Sequence, residues 1–221
     1  MIYVSIIDYG SGNIRSVYNS VKATCESISS KASICVTSDK KKIEDSSHLI
    51  LPGVGSFKGC LSGVREKGDL FESLEKNVIV NKKPFLGICV GMQMLFSEGY
   101  EGGRTRGFNW IPGKVTKIKP KSREYKIPHI GWNGLKLEKV HPVISSLLEN
   151  KSKSEIETNA YFVHSYECKP ENSDHLVLTT YYGEAISAMV AKENIIGTQF
   201  HPEKSHLFGL EFLKSFLTWE T

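Results

Sequence analysis

The stretch Lys83-Pro84-Phe85-Leu86-Gly87-Ile88-Cys89-Val90-Gly91-Met92-Gln93 decides how this chain is read. Lys83 to Ile88 has the length and apolar content of a buried strand, and Met92 to Glu98 keeps a helical pattern, so the backbone passes from strand to helix across Gly87–Gly91. The same grammar recurs outward. His48 to Leu51 is a second apolar run, expected to end at Pro52-Gly53-Val54-Gly55 because proline and two glycines break a ladder. Ser33 to Thr37 is a weaker strand. Ile2 to Ile7 leads through the turn Asp8-Tyr9-Gly10-Ser11-Gly12 into a helix with Ile14, Val17, Tyr18 and Val21 at helical spacing.

Short β-branched strands alternating with helices predict an α/β fold: a doubly wound, mostly parallel sheet flanked by helices. From about Gly113 the texture changes to short alternating segments, Lys114–Ile118 and Tyr161–Tyr166, which read as antiparallel strands. The chain closes with Ile195–Phe200, a turn through His201-Pro202-Glu203, and an amphipathic helix over Leu207–Leu217 suited to docking on the sheet. With 221 residues and no linker or repeat, one domain spanning 1–221 is expected.

Composition excludes several classes. The chain is 40% hydrophobic and 24% charged, and 28 Lys and Arg against 24 Asp and Glu leave +4, a mild excess that points to neither nucleic acid nor a membrane surface. Lys40-Lys41-Lys42 and the run Lys117, Lys119, Lys121, Arg123, Lys126 read as solvated faces, with a partner contact as the second reading. Five cysteines without C-x-x-C spacing disfavour a disulfide framework and a zinc site. The start has no basic n-region and no stretch approaches the roughly 20 apolar residues of a membrane span. A cytoplasmic protein without metal or cofactor is expected.

Gly87-Ile88-Cys89-Val90-Gly91 has the spacing of a nucleophile elbow with Cys in place of Ser. Glycine on both sides lets the backbone turn sharply and lifts Cys89 toward a cleft at the carboxyl edge of the sheet, where the following helical amides favour thiolate. The alternative is a small buried hydrophobe. A thiolate nucleophile needs a base and the base an orienting group. In an extended His201-Pro202-Glu203 the first and third side chains project together, offering both; a structural histidine is the other reading.

Gly87, Ile88, Cys89, Gly91 and Gln93, together with Gln199-Phe200-His201-Pro202-Glu203-Lys204-Ser205, resemble the two signatures of the class I (triad) glutamine amidotransferases. The resemblance implies that fold, with an added small antiparallel sheet. It implies that Cys89 attacks the side-chain amide of glutamine, that His201 moves the proton to ammonia, and that Glu203 orients His201. The anionic intermediate needs amide donors, which Val90 and either Val54 or Gly55 can supply; an ordinary glycine-rich turn is the alternative for the Pro52–Gly55 loop.

Four further stretches resemble the glutaminase subunits of imidazole glycerol phosphate synthases: Ile7–Asn13, Pro52–Phe57, Pro128-His129-Ile130-Gly131-Trp132-Asn133 and Tyr161–Tyr166. That resemblance implies a heterodimer with a (βα)₈-barrel cyclase, to which ammonia passes in histidine biosynthesis. It places His129, Trp132 and Asn133 at the partner interface, although His129 and Trp132 also suit core packing. Gly53, Gln93, Glu101, His164, Ser165 and Tyr166 would line the glutamine pocket. Two departures stand out: Asn109 where the family usually has Gly, and Ser122-Arg123-Glu124-Tyr125 without a match. They leave open a paralogue that supplies ammonia for amidation of a surface sugar. A catalytically silent binding module and a free-standing thiol hydrolase are the other classes.

Overall fold

The computed structural model describes residues 1–28, 31–122, 124–148 and 159–220. In chain order the elements are β1 (Ile2–Ile7), α1 (Ile14–Ser27), β2 (Ala32–Thr37), α2 (Lys40–Asp45), β3 (His48–Gly53), α3 (Phe57–Arg65), α4 (Leu70–Glu75), β4 (Phe85–Cys89) and α5 (Val90–Met94). There follow β5 (Phe96–Gly99), β6 (Thr105–Arg106), β7 (Ile111–Lys117), β8 (His129–Leu137), α6 (Pro142–Leu148), β9 (Asn159–His164), β10 (Tyr166–Pro170), β11 (Leu176–Tyr181), β12 (Ala185–Lys192), β13 (Ile195–Thr198) and α7 (His206–Leu217).

Nine strands form one sheet in the order β2-β1-β3-β4-β13-β12-β11-β8-β9. The first five are mutually parallel and the rest antiparallel. β3 and β4 are buried along their whole length, as expected of parallel strands covered on both faces. A second sheet, β10-β7-β5-β6, is antiparallel except where β5 meets β7. The terminal helix α7 buries Phe212, Leu213, Phe216 and Leu217 and packs on α1, each such side chain contributing about 1.5–3 kcal/mol by leaving water.

Three local expectations change. β3 does not stop at Leu51 but runs through Pro52 to Gly53, still paired with Ile88 and Cys89 of β4. Its pairing with β1 has ended at Ile50, so Pro52 sits where one flank needs no amide. The helix expected over Met92–Glu98 ends at Met94, and Phe96–Gly99 becomes strand. The carbonyls of Met94, Leu95 and Phe96 accept instead from the amides of Phe108, Trp110, Ile111 and Asn109. Those bonds come from distant residues and leave no trace in the local pattern. Tyr161–Tyr166 is two strands: β9 pairs with β8 in the large sheet, β10 with β7 in the small one, and Ser165 is the crossing point.

Asn109 has φ +59, the left-handed region that glycine favours and asparagine tolerates, and its side chain accepts a hydrogen bond from Ser97 Oγ. The departure from the family's glycine therefore keeps the backbone of that turn. Arg123 of the second departure lies outside the described residues.

Candidate active site

Cys89 ends β4 with φ 55 and ψ −111, a conformation a non-glycine residue holds only when its surroundings enforce it. The enforcement comes from glycines. A Cβ on Gly91 would lie 2.0 Å from the Leu51 carbonyl oxygen, one on Gly87 2.6 Å from the Gly91 carbonyl oxygen, and one on Gly53 2.5 Å from the Gly91 amide nitrogen. β3, β4 and α5 thus meet backbone to backbone. Gly53, expected to line the glutamine pocket, is consumed by this contact and does not reach the cavity. α5 spans only five residues, so its dipole is a smaller source of positive potential than a long helix would be.

The stronger source is His201, which follows β13, the neighbour of β4. The pair forms differently from the expectation. His201 is extended, but Pro202 opens a 3₁₀ turn over Pro202–Lys204, and this turn carries the Glu203 carboxylate back to the imidazole. His201 Nδ1 lies 2.8 Å from Glu203 Oε1 and donates to it, since a carboxylate oxygen can only accept. The backbone is pinned as well: His201 N donates to Tyr161 O at 2.9 Å, and Ser205 Oγ to His201 O at 2.7 Å. Burial alone would push the His201 pKa down, but Cys89 and Glu203 outweigh it and raise the pKa to about 9. At neutral pH the imidazole is therefore protonated.

Beside Cys89 opens a cavity of about 340 Å³. His201, Val54, Gly55 and Val90 line it, as do Gln93, Glu101, His164, Ser165 and Tyr166 among the residues expected to bind glutamine. Glu203 stands behind His201. The Glu101 carboxylate is anchored by the amide of Phe57, 2.7 Å from Oε2 at the start of α3. Gln93 Nε2 donates to Gln199 Oε1 at 3.1 Å, and Gln199 Nε2 lies 3.6 Å from Cys89 Sγ.

His129, expected at the partner interface, faces inward. It is 2% exposed and stacks between Phe162 and Tyr182, with ring centroids at 4.8 and 4.0 Å. The alternation of β8 turns Trp132 outward instead, 46% exposed and stacked on His206 at 4.8 Å. Asn133 is half-buried and donates to Tyr181 O at 2.8 Å.

Neutral tautomers on the inward side follow from the acceptors. His164 Nδ1 lies 2.8 Å from the Tyr166 carbonyl, so Nδ1 carries the proton and Nε2 is bare. His129 Nδ1, 2.9 Å from that Nε2, must donate, which leaves His129 Nε2 to accept from Asn133 Nδ2 at 3.3 Å. Burial holds both rings neutral, lowering His164 to about 3 and His129 to about 4. Gln93 also donates to the Tyr166 carbonyl, at 3.4 Å, so a polar chain runs from Asn133 to Cys89.

Two contributors carry no role of their own in the sequence reading. Gln199 carries no chemistry of its own but is completely buried against Cys89. Asn13 caps no helix through its side chain; its Nδ2 donates to Glu203 Oε1 at 3.2 Å across 190 residues of sequence. The only signal for either is membership of a motif. Among the described residues no group of His, Cys, Asp or Glu could hold a metal ion, and no helix is long and apolar enough to cross a membrane.

An open, mostly parallel sheet flanked by helices, with a strained cysteine at a strand end faced by a histidine–carboxylate pair, is the framework of an α/β enzyme. The chain belongs to the class-I glutamine amidotransferase family, whose model matches residues 5–218. It is 46% identical over 214 residues to imidazole glycerol phosphate synthase subunit HisH of Pelagibacter ubique (strain HTCC1062), covering 97% of this chain and 98% of that protein. Against the subunit of the same name from Zymomonas mobilis subsp. mobilis it is 42% identical over 217 residues, covering 98% and 95%. A solved structure described as glutamine amidotransferase superposes with a TM-score of 0.67 at 16% identity, covering 96% of this chain and 98% of its own, a likeness of fold.

Proposed function

We propose that this chain is the glutaminase subunit of an imidazole glycerol phosphate synthase and that Cys89, His201 and Glu203 are its catalytic residues. The observation that carries the reading is one cavity holding the strained Cys89 thiol, the charged His201 and the anchored Glu101 carboxylate. Glutamine enters with its ammonium toward Glu101 and its side-chain amide at Cys89. Sulfur attacks the amide carbon, and the anionic oxygen is held by the amide of Val90 and one from the Val54–Gly55 loop. The proton on His201 Nε2 passes to the departing nitrogen, ammonia leaves, and a γ-glutamyl thioester remains. Water, giving its proton to His201, hydrolyses the thioester to glutamate. Gln93, His164, Ser165 and Tyr166 shape the pocket, and Glu203 holds the His201 tautomer.

Ammonia then passes to a (βα)₈-barrel cyclase in a cytoplasmic heterodimer, with Trp132 rather than His129 on the docking face. No cofactor and no nucleic acid take part. The left-handed Asn109 keeps the turn that glycine would make, so that departure does not favour the sugar-amidating paralogue. The test is glutaminase activity of the purified chain, alone and with a histidine-pathway cyclase plus its phosphoribosyl-formimino nucleotide substrate. Low activity alone and a large rise with both are expected. No response, with Cys89 still alkylated by a glutamine analogue, would move the acceptor to the sugar pathway, and full turnover alone would make the chain a free-standing hydrolase.

A further inference from the structure

Glu101 reaches the cavity from the loop between β5 and β6. Packing does not hold the tip of that loop: Gly102 and Gly103 sit at φ +66 and +126, and a Cβ on either would meet nothing within 4 Å. The restraint is polar and comes from Glu98, which lies in β5 and is 8% exposed. Its Oε1 accepts from the Tyr100 hydroxyl at 2.6 Å and its Oε2 from Arg104 Nε at 2.5 Å. Lys114, its cross-strand neighbour in β7, stands 3.7 Å from Oε1. Tyr100 and Arg104 flank Glu101-Gly102-Gly103, so a single carboxylate closes the neck of the loop behind its tip. The hydrogen bonds from Tyr100 and then Arg104 hold the Glu98 carboxyl below the usual carboxylate range, so it stays ionised at neutral pH.

The other tie runs to α3. The Phe57 amide donates to Glu101 Oε2 at 2.7 Å, and the Phe57 ring presses on the base of the loop, where a Cβ on Gly99 would lie 2.6 Å from Cε1. Among the described residues no group donates to Glu101 Oε1, the oxygen left for a cation in the cavity. A carboxylate beside two glycines binds a cation well only if its loop is already ordered. Otherwise the apparent affinity falls by the fraction of molecules whose loop is in the competent form.

We propose that Glu98 is a positioning residue for substrate: by tying Tyr100 to Arg104 across the neck of the β5–β6 loop, it holds Glu101 where the ammonium of glutamine enters. The proposal rests on reading the cavity as a glutaminase site. The ammonium lies at the far end of glutamine from the reacting amide, so its contact with Glu101 is the same before and during attack. Losing such a contact weakens binding and leaves the chemical step alone. Arg104 is 67% exposed in its side chain, so loosening the staple should cost only roughly five-fold in apparent affinity.

The experiment follows alkylation of Cys89 in the full chain by the chloroketone analogue of glutamine, which keeps the α-ammonium, and by iodoacetamide, which has none. In Glu98→Gln and in Arg104→Ala the half-saturating concentration of the chloroketone rises roughly five-fold, while its limiting rate and the iodoacetamide rate stay within about two-fold of wild type. Glu101→Gln raises half-saturation further, and adding Glu98→Gln to it produces no additional rise, because both act on one contact. Should Glu98→Gln not fold, the exposed Arg104→Ala carries the test. Unchanged half-saturation in the staple variants, a fall in either rate, or full additivity with Glu101→Gln would overturn the proposal. If the wild-type chain itself shows no saturation with the chloroketone, the glutaminase reading has failed and takes the ammonium role with it; saturation in wild type with no change in the variants removes the staple alone.

Discussion

The parallel and antiparallel halves of the large sheet solve different problems. In the half β2-β1-β3-β4-β13 the positions that matter are backbone contacts, and Gly53, Gly87 and Gly91 are there because no Cβ fits. In the half β12-β11-β8-β9 a glycine such as Gly134 has room, its Cβ meeting only Asn159 Oδ1 at 3.7 Å, and the constraint is instead a buried polar chain through Asn133, His129 and His164. The site straddles the seam: Cys89 ends β4, and His201 follows β13, which pairs in parallel with β4 and antiparallel with β12. Sterics place Cys89, and hydrogen bonds place what surrounds it.

The sharpest test of the parallel half is Cys89→Ala. Glutamine hydrolysis should fall by at least about 10⁴-fold, while the thermal midpoint and ammonia-driven synthesis by the complex stay unchanged. Loss of the ammonia-driven reaction would show that Cys89 supports structure and not only attack. Next, Glu203→Gln should cost about 10³-fold in kcat and let the His201 pKa fall from about 9. Because that pKa is raised above 6.5 in the fold, the stability it contributes is complete below pH 6.5 and lost as pH rises through about 9. In Glu203→Gln this loss should move to lower pH, read by urea midpoints from pH 6 to 10.

The glycine contrast is tested by a pair of substitutions. Gly91→Ala should destabilise by about 3 kcal/mol, because backbone must move, whereas Gly134→Ala should stay within about 1 kcal/mol. Equal effects in chemical denaturation would erase the distinction between the halves. The smallest effect belongs to the antiparallel side. His164 and His129 have pKa values lowered to about 3 and about 4, so the unfolded chain takes up protons below pH 6.5 that the fold refuses. Stability should therefore be full above pH 6.5 and decline as pH falls toward 4, by on the order of 1–2 kcal/mol for His164 by pH 5. A urea midpoint flat from pH 7 to 5, in a variant with Glu203 intact, would mean the chain is not held neutral.

Much of the parallel half was legible because its signals are local. An apolar run of strand length, a Gly-x-Cys-x-Gly turn and a following helical pattern are contiguous, and the consequence, a cysteine at the strand end, needs no distant partner. Even there the reach of each element was not local: β3 continued past Pro52 because β1 had stopped pairing, and the helix after Cys89 ended early because residues 108–111 took its carbonyls. His129 illustrates the other half. Its hexapeptide marked it as distinctive, but which way it faces depends on β8 pairing with β9 across 35 residues and on Tyr182 closing over the ring.

By itself the sequence determined the α/β alternation, the strand that ends in Cys89, the His201–Glu203 pair and the family, since each is carried by residues adjacent in the chain or by the match along its length. Only the tertiary structure decided that Gly53 packs against α5, that His129 is core and Trp132 surface, and that Asn13 and Gln199 reach Glu203 and Cys89. The physical reason is range. Periodicity and glycine spacing act over a few residues, whereas a hydrogen bond to a buried carbonyl or carboxylate is made by whichever donor the completed fold brings within about 3 Å.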